Sequence, residues 1–406
     1  VDLDAFGWLL TPSGQALLDR ASSLSGMDPL QAQTLLRKDC EPAYVAAAMS
    51  QVELRSRGRA KFGALADSMY FTSDGLEQAT RLSVATHRAA RLQAFGAASV
   101  IDLGCGIGGD LIALSHAGTT AAGVDLDPER VAVASANLTA LGLGGAVQQA
   151  DATTVDHSPF DVAFADPARR RNNAARGREL ATEGWTPPWD WVSTLFNRDA
   201  CVKVAPGIDH SLIPAGVEGE WVSDHGDVKE AALWSGRLAT VRRRATVIGD
   251  GGLATITEED SPIDPEDVEG RADAVRPLGD FLYEPDGAVI RAGLVTAVAA
   301  GVDGGLLDEH IAYVTSDASF HTPFATGYQV LEELPYRERA LKAALRERGI
   351  GRLTIKKRGV SIVPEALRRS LSLTGPNEGT IVMTRIAGEG RCLLVKPFSG
   401  MTLISS

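Results

Sequence analysis

Cysteine is scarce in this chain and long apolar runs are missing. The 406 residues hold four cysteines, Cys40, Cys105, Cys201 and Cys392, far apart and with no C-x-x-C spacing. That spread excludes a disulfide framework and the common zinc motifs, and it suits a reducing, cytoplasmic location. No stretch of about 18 apolar residues occurs, so no membrane span is expected. Val1-Asp2-Leu3-Asp4 lacks the positive charge that opens a signal peptide. The seven histidines are scattered, without H-E-x-x-H or another ligand spacing, so no catalytic metal is expected. Positive charge is in deficit too: 40 Lys plus Arg against 52 Asp plus Glu give a net charge of -12. A chain of that balance, spread evenly, would repel phosphate.

The charge is not spread evenly. Residues 337–398 carry 14 Lys plus Arg and 5 Asp plus Glu, a local balance of +9 that leaves -21 for the remainder. A basic module on an acidic body is either an interaction domain or a tail that docks on that body. Length alone predicts two or three domains, and pattern divides the chain into four segments. Residues 1–95 read as helical: Leu9-Leu10, Leu17-Leu18, Ala21 and Leu24 recur at helical spacing around a cap at Thr11-Pro12-Ser13. A further helix is expected after Thr72-Ser73-Asp74-Gly75, through Leu76, Ala79, Leu82 and Ala85 to Leu92. This region is either a structural cap or a cover in which Lys61-Phe62 and Met69-Tyr70-Phe71-Thr72 fold over a ligand.

Residues 96–256 alternate short apolar strands with helices. Strands are expected at 100–103, 121–125, 147–150, 160–165 and 201–204, helices at 110–116 and 128–141, with 228–234 and 239–247 completing the sheet. Runs of that kind, apolar on both faces, predict an open, doubly wound α/β sheet. Residues 257–325 read as an acidic, proline-marked linker followed by a mixed segment. Residues 326–406 read as a small α+β domain with strands at 328–334, 352–357, 379–386 and 391–397 and helices at 336–348 and 364–371.

The stretch Val100-Ile101-Asp102-Leu103-Gly104-Cys105-Gly106-Ile107-Gly108-Gly109-Asp110 is the centre of the α/β region. Glycines there let the backbone turn sharply and approach a ligand, and the helix that follows points its N-terminus back at it. Gly104, Gly106 and Gly109 also satisfy the dinucleotide fingerprint G-x-G-x-x-G. A dehydrogenase has a use for Asp125, on ribose hydroxyls, but none for Asp102 or Asp151. S-adenosylmethionine suits all three: a cationic amino group for Asp102, a ribose diol for Asp125 and an adenine amino group for Asp151. Open sheets bind ligands at these strand ends.

In order, Asp102-Leu103-Gly104-Cys105-Gly106-Ile107-Gly108-Gly109, Gly123-Val124-Asp125, Ala150-Asp151-Ala152 and Asp161-Val162-Ala163-Phe164-Ala165-Asp166-Pro167 resemble a class I S-adenosylmethionine-dependent methyltransferase. The resemblance implies a Rossmann-like sheet, S-adenosyl-L-methionine as cofactor, and cofactor contacts from Gly104, Gly106, Asp125 and Asp151. Leu126 and Ala152 either flank the adenine or are ordinary packing, and Asp127 before Pro128 reads as a helix cap.

Asp166-Pro167-Ala168-Arg169 stands where methyltransferases of nucleobase amino groups carry an acid or amide, two prolines and an aromatic residue. Asp166 is the expected acceptor of a hydrogen bond from the amine. Ala168 and Arg169 depart from the pattern. Beyond them Arg169, Arg170, Arg171, Arg176 and Arg178 precede Trp185, Trp189 and Trp191. Cations for phosphate and flat rings for bases suit an unstacked nucleotide. The same residues also suit a solvated loop whose tryptophans pack on the sheet edge. The triplet Arg242-Arg243-Arg244 is expected on a solvated strand edge.

At the other end, Ile355-Lys356-Lys357-Arg358-Gly359-Val360 with Pro364-Glu365-Ala366-Leu367-Arg368-Arg369 is similar to the C-terminal THUMP-like domain of a group of bacterial methyltransferases. The resemblance implies structured RNA, tRNA or rRNA, as partner, with Lys356, Lys357 and Arg358 among its contacts. Three readings follow for the whole: an RNA methyltransferase, a methyltransferase of a small molecule or protein, and a non-catalytic RNA-binding protein that keeps the fold.

Overall fold

Side-chain caps and prolines begin the N-terminal helices. In the computed structural model, which describes residues 2–169 and 185–398, these are α1 (Leu3–Leu9), α2 (Pro12–Ser23), α3 (Pro29–Leu36) and α4 (Pro42–Phe62). Asp2, Thr11 and Asp28 accept hydrogen bonds from first-turn amides, and proline opens α2, α3 and α4. The single helix expected beyond Gly75 is two, α5 (Ser73–Gln78) and α6 (Leu82–Phe95). The apolar period continues across the break, which is why the sequence hides it. Lys61 fixes the break, its Nζ donating to the carbonyls of Leu76 at 2.8 Å, Glu77 at 2.7 Å and Ala79 at 2.8 Å.

Chain contacts divide the protein into two units, residues 1–217 with 232–240, and 218–231 with 241–406. The first unit continues with β1 (Ser99–Leu103), α7 (Gly109–His116), β2 (Thr120–Asp125), α8 (Pro128–Ala140), β3 (Ala146–Gln149) and β4 (Val162–Ala165). Short strands β5 (Ala168–Arg169) and β6 (Trp185–Thr186) pair antiparallel, followed by α9 (Trp189–Thr194) and β7 (Ala200–Val204). Five of these strands run parallel in the order β7-β4-β1-β2-β3. The chain leaves β1 toward β2 and β3, then crosses back to β4, so the order reverses between β1 and β4. Ligands bind at such a switch point.

The N-terminal helices share one core with this sheet: Leu9, Leu36, Val45, Phe62 and Phe71 cluster with Val100, Leu111 and Phe164. Asn137 of α8, fully buried, ties helix to loop through its amide, accepting from the Tyr70 N–H at 2.6 Å and donating to the Ile107 carbonyl at 2.9 Å. Phe62, Met69, Tyr70 and Phe71 are therefore core residues, and no ligand cover forms from them.

In the second unit, β8 (Glu218–Asp224) is followed by β9 (Asp227–Ser235), whose last residues count with the first unit, and then by β10 (Arg243–Gly249) and β11 (Gly252–Thr257). β10 is parallel to β8 and antiparallel to β11, so it is an inner strand. The arginine triplet on it is not a solvated edge. Arg242 pairs with Asp264 at 2.7 Å, Arg243 with Glu266 at 2.8 Å, and Arg244 with the fully buried Glu218 at 2.7 Å. The acidic stretch read as a linker supplies two of those counter-ions.

Next come α10 (Val268–Asp273), β12 (Phe281–Pro285), α11 (Gly287–Ala292), α12 (Val295–Gly301), β13 (Gly305–Asp308), β14 (Ile311–Ser316), β15 (Ala325–Leu334), α13 (Glu338–Glu347), β16 (Ile350–Lys357), α14 (Pro364–Leu371), β17 (Asn377–Ile386) and β18 (Glu389–Pro397). Strands β12 to β18 form one seven-stranded sheet, β13-β14-β12-β15-β18-β17-β16. The mixed segment before residue 326 thus contributes three strands to the sheet of the C-terminal domain, with β12 paired along β15 from Phe281 to Pro285. Alternate residues point to two cores. Ile381, Met383, Cys392 and Leu394 pack under α13 and α14, while Val382, Leu393 and Val395 face Tyr313 and Tyr328. Among the described residues no helix is long and apolar enough to cross a membrane.

Candidate active site

β1 ends in Leu103 and the chain turns on glycines. Gly104 has φ 109° and Gly106 φ 55°, in the left-handed range that side chains disfavour, and a Cβ on Gly104 would stand 3.7 Å from the Asp166 carbonyl oxygen. The turn is held from β2: the Gly104 and Cys105 amides both donate to the Val124 carbonyl at 2.9 Å, and the Gly106 amide donates to Asp125 Oδ2 at 2.9 Å. The other oxygen of Asp125 accepts from the Asp127 amide at 2.9 Å. Asp127 caps α8 as expected, accepting from the Glu129 amide.

A cavity of about 390 Å³ opens at the switch point. Its lining includes Asp102, Gly104 and Gly106 from the turn and Asp166 and Pro167 from the end of β4. These five expected site residues are brought together. Asp125 joins the turn through the Gly106 amide but is not part of that lining. Leu126 is 56% exposed, Asp151 is exposed, and Ala152 is buried, all outside that lining. Thr153 donates to Asp151 from backbone and hydroxyl, at 2.9 and 2.7 Å, and holds that carboxyl below the usual range.

Asp102 is the electrostatic centre. It is 1% exposed, and its Oδ1 has no hydrogen-bond partner. Burial, then the negative charges of Asp110 and Asp166, push its carboxyl well above the usual carboxylate range against the pull of Arg88. An unpartnered buried oxygen beside a cavity suits a cationic, hydrogen-bonding ligand group. Asp110 is already paired with Arg88, whose guanidinium lies 4.4 Å from the centre of the Phe164 ring.

Sequence reading missed Lys203, at the end of β7. Its Nζ lies 2.6 Å from Asp166 Oδ2 and 3.0 Å from Thr80 Oγ1, and it lines the same cavity. Thr80 and Ala79 stand in the break between α5 and α6, and Asp74 and Gln78 of α5 join them in the lining. The N-terminal region therefore builds part of the pocket, through a different segment from the one expected. A lysine in an apolar strand carries no local signal of its partner 37 residues away. Cys105 is buried, and burial raises its thiol above the ordinary value.

Trp185 is buried and meets Trp189 edge-on at 4.9 Å, and Trp189 meets Phe196 at 6.1 Å. The two tryptophans pack on each other and do not line the cavity. Arg170, Arg171, Arg176 and Arg178 lie outside the described residues, as does the side chain of Arg169. In the C-terminal domain Lys356 Nζ is 2.7 Å from Glu284 of β12, and Arg358 is 4.0 Å from the same carboxylate. Burial works against the charge of Lys356, yet the hydrogen bond to Glu284 raises its pKa above the ordinary lysine value. Lys357 is exposed. Among the described residues no group of three His, Cys, Asp or Glu side chains is placed to hold a metal ion.

A parallel sheet with its glycine turn at the switch point, and acids at the carboxyl ends of β1, β2 and β4, is the arrangement expected of a methyltransferase that uses S-adenosylmethionine. The chain belongs to the S-adenosylmethionine-dependent methyltransferases. A methyltransferase domain matches residues 100–175, a THUMP domain-like family matches 325–397, and a domain of unknown function matches 2–60. An uncharacterized S-adenosylmethionine-dependent methyltransferase of Mycobacterium tuberculosis, known from two strains, is 38% identical over 346 residues, covering 82% of this chain and 90% of the relative. A crystal structure of a candidate methyltransferase from Porphyromonas gingivalis W83 shares the fold, with a TM-score of 0.75 and 22% identity over 95% of this chain and 99% of that one.

Proposed function

We propose that this enzyme methylates a nucleobase of structured RNA, tRNA or rRNA, and that its C-terminal domain holds the RNA. The observation that carries the catalytic half is the juxtaposition of Asp166 and Pro167 with the glycine turn and Asp102 in one cavity. The THUMP domain-like match over residues 325–397 supports the RNA half.

When bound, S-adenosylmethionine supplies an electrophilic methyl group on a sulfonium. Asp102 takes its amino group, because that cation and its donors complete the unpartnered Oδ1. Asp125, whose two oxygens already accept one amide each, keeps lone pairs for the ribose hydroxyls. Asp151 accepts from the adenine amine, between Leu126 and Ala152. Asp166 accepts a hydrogen bond from the exocyclic amine of the base and turns the nitrogen lone pair toward the methyl, with Pro167 shaping the loop. Such positioning is the main source of rate in an in-line displacement.

The test is transfer of labelled methyl to total RNA from cells that lack the protein. RNA should be labelled, and Asp166→Ala should abolish labelling while S-adenosylmethionine affinity stays within about twofold. Label found only in protein or small molecules would overturn the reading.

A further inference from the structure

The basic charge that defines the C-terminal domain is of two kinds. Along the strands part of it is neutralised, Lys356 and Arg358 by Glu284, Arg352 by Glu378 at 2.5 Å and Arg391 by Glu333 at 2.8 Å, whereas Lys357, Arg385 and Lys396 are scattered singly on three strands with no carboxylate within 4 Å among the described residues. Arg348, just past α13, is spent on Glu332 at 2.6 Å. On the helices it is not. Arg337, Arg339, Lys342 and Arg346 of the α13 segment, and Arg368 and Arg369 of α14, have no carboxylate within 4 Å among the described residues.

The two helices turn this charge outward together. Leu341 and Leu345 of α13 and Leu367 and Leu371 of α14 are buried in the core above β16, which leaves Arg337, Arg339, Arg346 and Arg369 exposed, Lys342 half-buried, and Arg368 exposed with its Nε donating to the Leu353 carbonyl of β16 at 3.1 Å. The helices are joined side by side through the cations themselves. Lys342 Nζ donates to the Ser370 carbonyl at 3.0 Å and an Arg346 Nη to the Ser372 carbonyl at 3.4 Å, at the C-terminal end of α14. Arg339, Lys342 and Arg346 span about 10 Å along one helix, with Arg369 on the neighbour.

Helix electrostatics explain only half of these cations. Arg346, Arg368 and Arg369 sit in last turns, where positive charge is favoured. Arg337 is the N-cap of α13 and Arg339 lies in its first turn, where the helix dipole disfavours a cation. Charge kept against the dipole, without a carboxylate partner, on a surface beside favourable cations, fits an external polyanion.

We propose that the outer face of α13 and α14, and not the Lys356-Lys357-Arg358 strand, is the surface that grips the phosphate backbone of structured RNA. This rests on the RNA reading above. The face presents a row of cations, and contacts of that kind position a phosphate backbone without selecting its sequence.

The test uses the full chain and a folded, end-labelled tRNA fraction, with affinity measured between 50 and 200 mM salt. Combined Arg339→Gln, Lys342→Gln, Arg346→Gln and Arg369→Gln should lower affinity at least tenfold and reduce the salt slope by about 2 to 3. Lys357→Gln with Lys396→Gln, exposed on strands, should stay within about twofold. If the quadruple variant melts early, Arg339→Gln with Arg369→Gln repeats the test, since neither side chain makes an internal hydrogen bond among the described residues. Tight wild-type binding with an unchanged slope in the helix variants would overturn the surface while leaving the RNA reading intact. A wild-type chain that binds no RNA would overturn both.

Discussion

Asp102 is destabilising where it stands, with one oxygen unpartnered and like charges on Asp110 and Asp166 nearby. Its folded pKa lies above the ordinary 3.8, so the fold favours the protonated form and stability falls as pH rises past that value. Asp102→Asn should therefore raise the unfolding midpoint at neutral pH, with the gain fading near pH 3.8, and weaken S-adenosylmethionine binding at least tenfold by calorimetry. A variant that binds normally would remove Asp102 from the cofactor site. Under the proposed function Lys203, 2.6 Å from Asp166, would act as a positioning residue through it. Lys203→Met should lower kcat at least tenfold with cofactor affinity retained, and Lys203→Arg should recover part of the loss. The turn, Asp125 and Asp166 could be read from sequence because each lies in a contiguous motif at a strand end. Lys203, Thr80 and Arg88 could not, because their partners are 37, 123 and 22 residues away and only the fold joins them.

Elements with local causes match the sequence reading closely. The parallel strands of the first sheet, the proline-opened α8 and the cap at Thr11 all rest on neighbours in the chain. Elements with distant causes do not. Strands β12 to β14 belong to a sheet completed only by β18, and the break after α5 depends on one lysine from α4. Lys61→Met should remove three charge-assisted hydrogen bonds, cost about 1.5–3 kcal/mol, and loosen the 76–80 turn, seen as faster amide exchange there. A histidine links two turns of the second unit. His225, between β8 and β9, joins Asp224 at 2.8 Å to Asp250 at 3.0 Å, beyond β10. Hydrogen bonds to Asp224 and then Asp250 raise its pKa above the ordinary 6.5. The stabilisation should be complete below pH 6.5 and lost as pH rises through the folded value, so His225→Gln should lower the melting midpoint at pH 6 and have no effect at alkaline pH.

For the whole molecule, a net charge of -12 and an RNA partner are compatible because charge is sorted by use. The acidic stretch around Glu258 to Asp267 offsets Arg242 and Arg243, Glu284 and Glu333 offset strand cations of the C-terminal domain, and Glu332 offsets Arg348 after α13. Sequence counting found the basic segment but not which of its members were spent, because pairing is three-dimensional. The measurement that bears most directly on RNA methylation is mass spectrometry of nucleosides from tRNA and rRNA of a deletion strain beside its parent. One methylated nucleoside should vanish in the deletion strain, return with the wild-type chain and stay absent with Asp166→Ala. Identical methylated nucleosides in both strains would contradict the account.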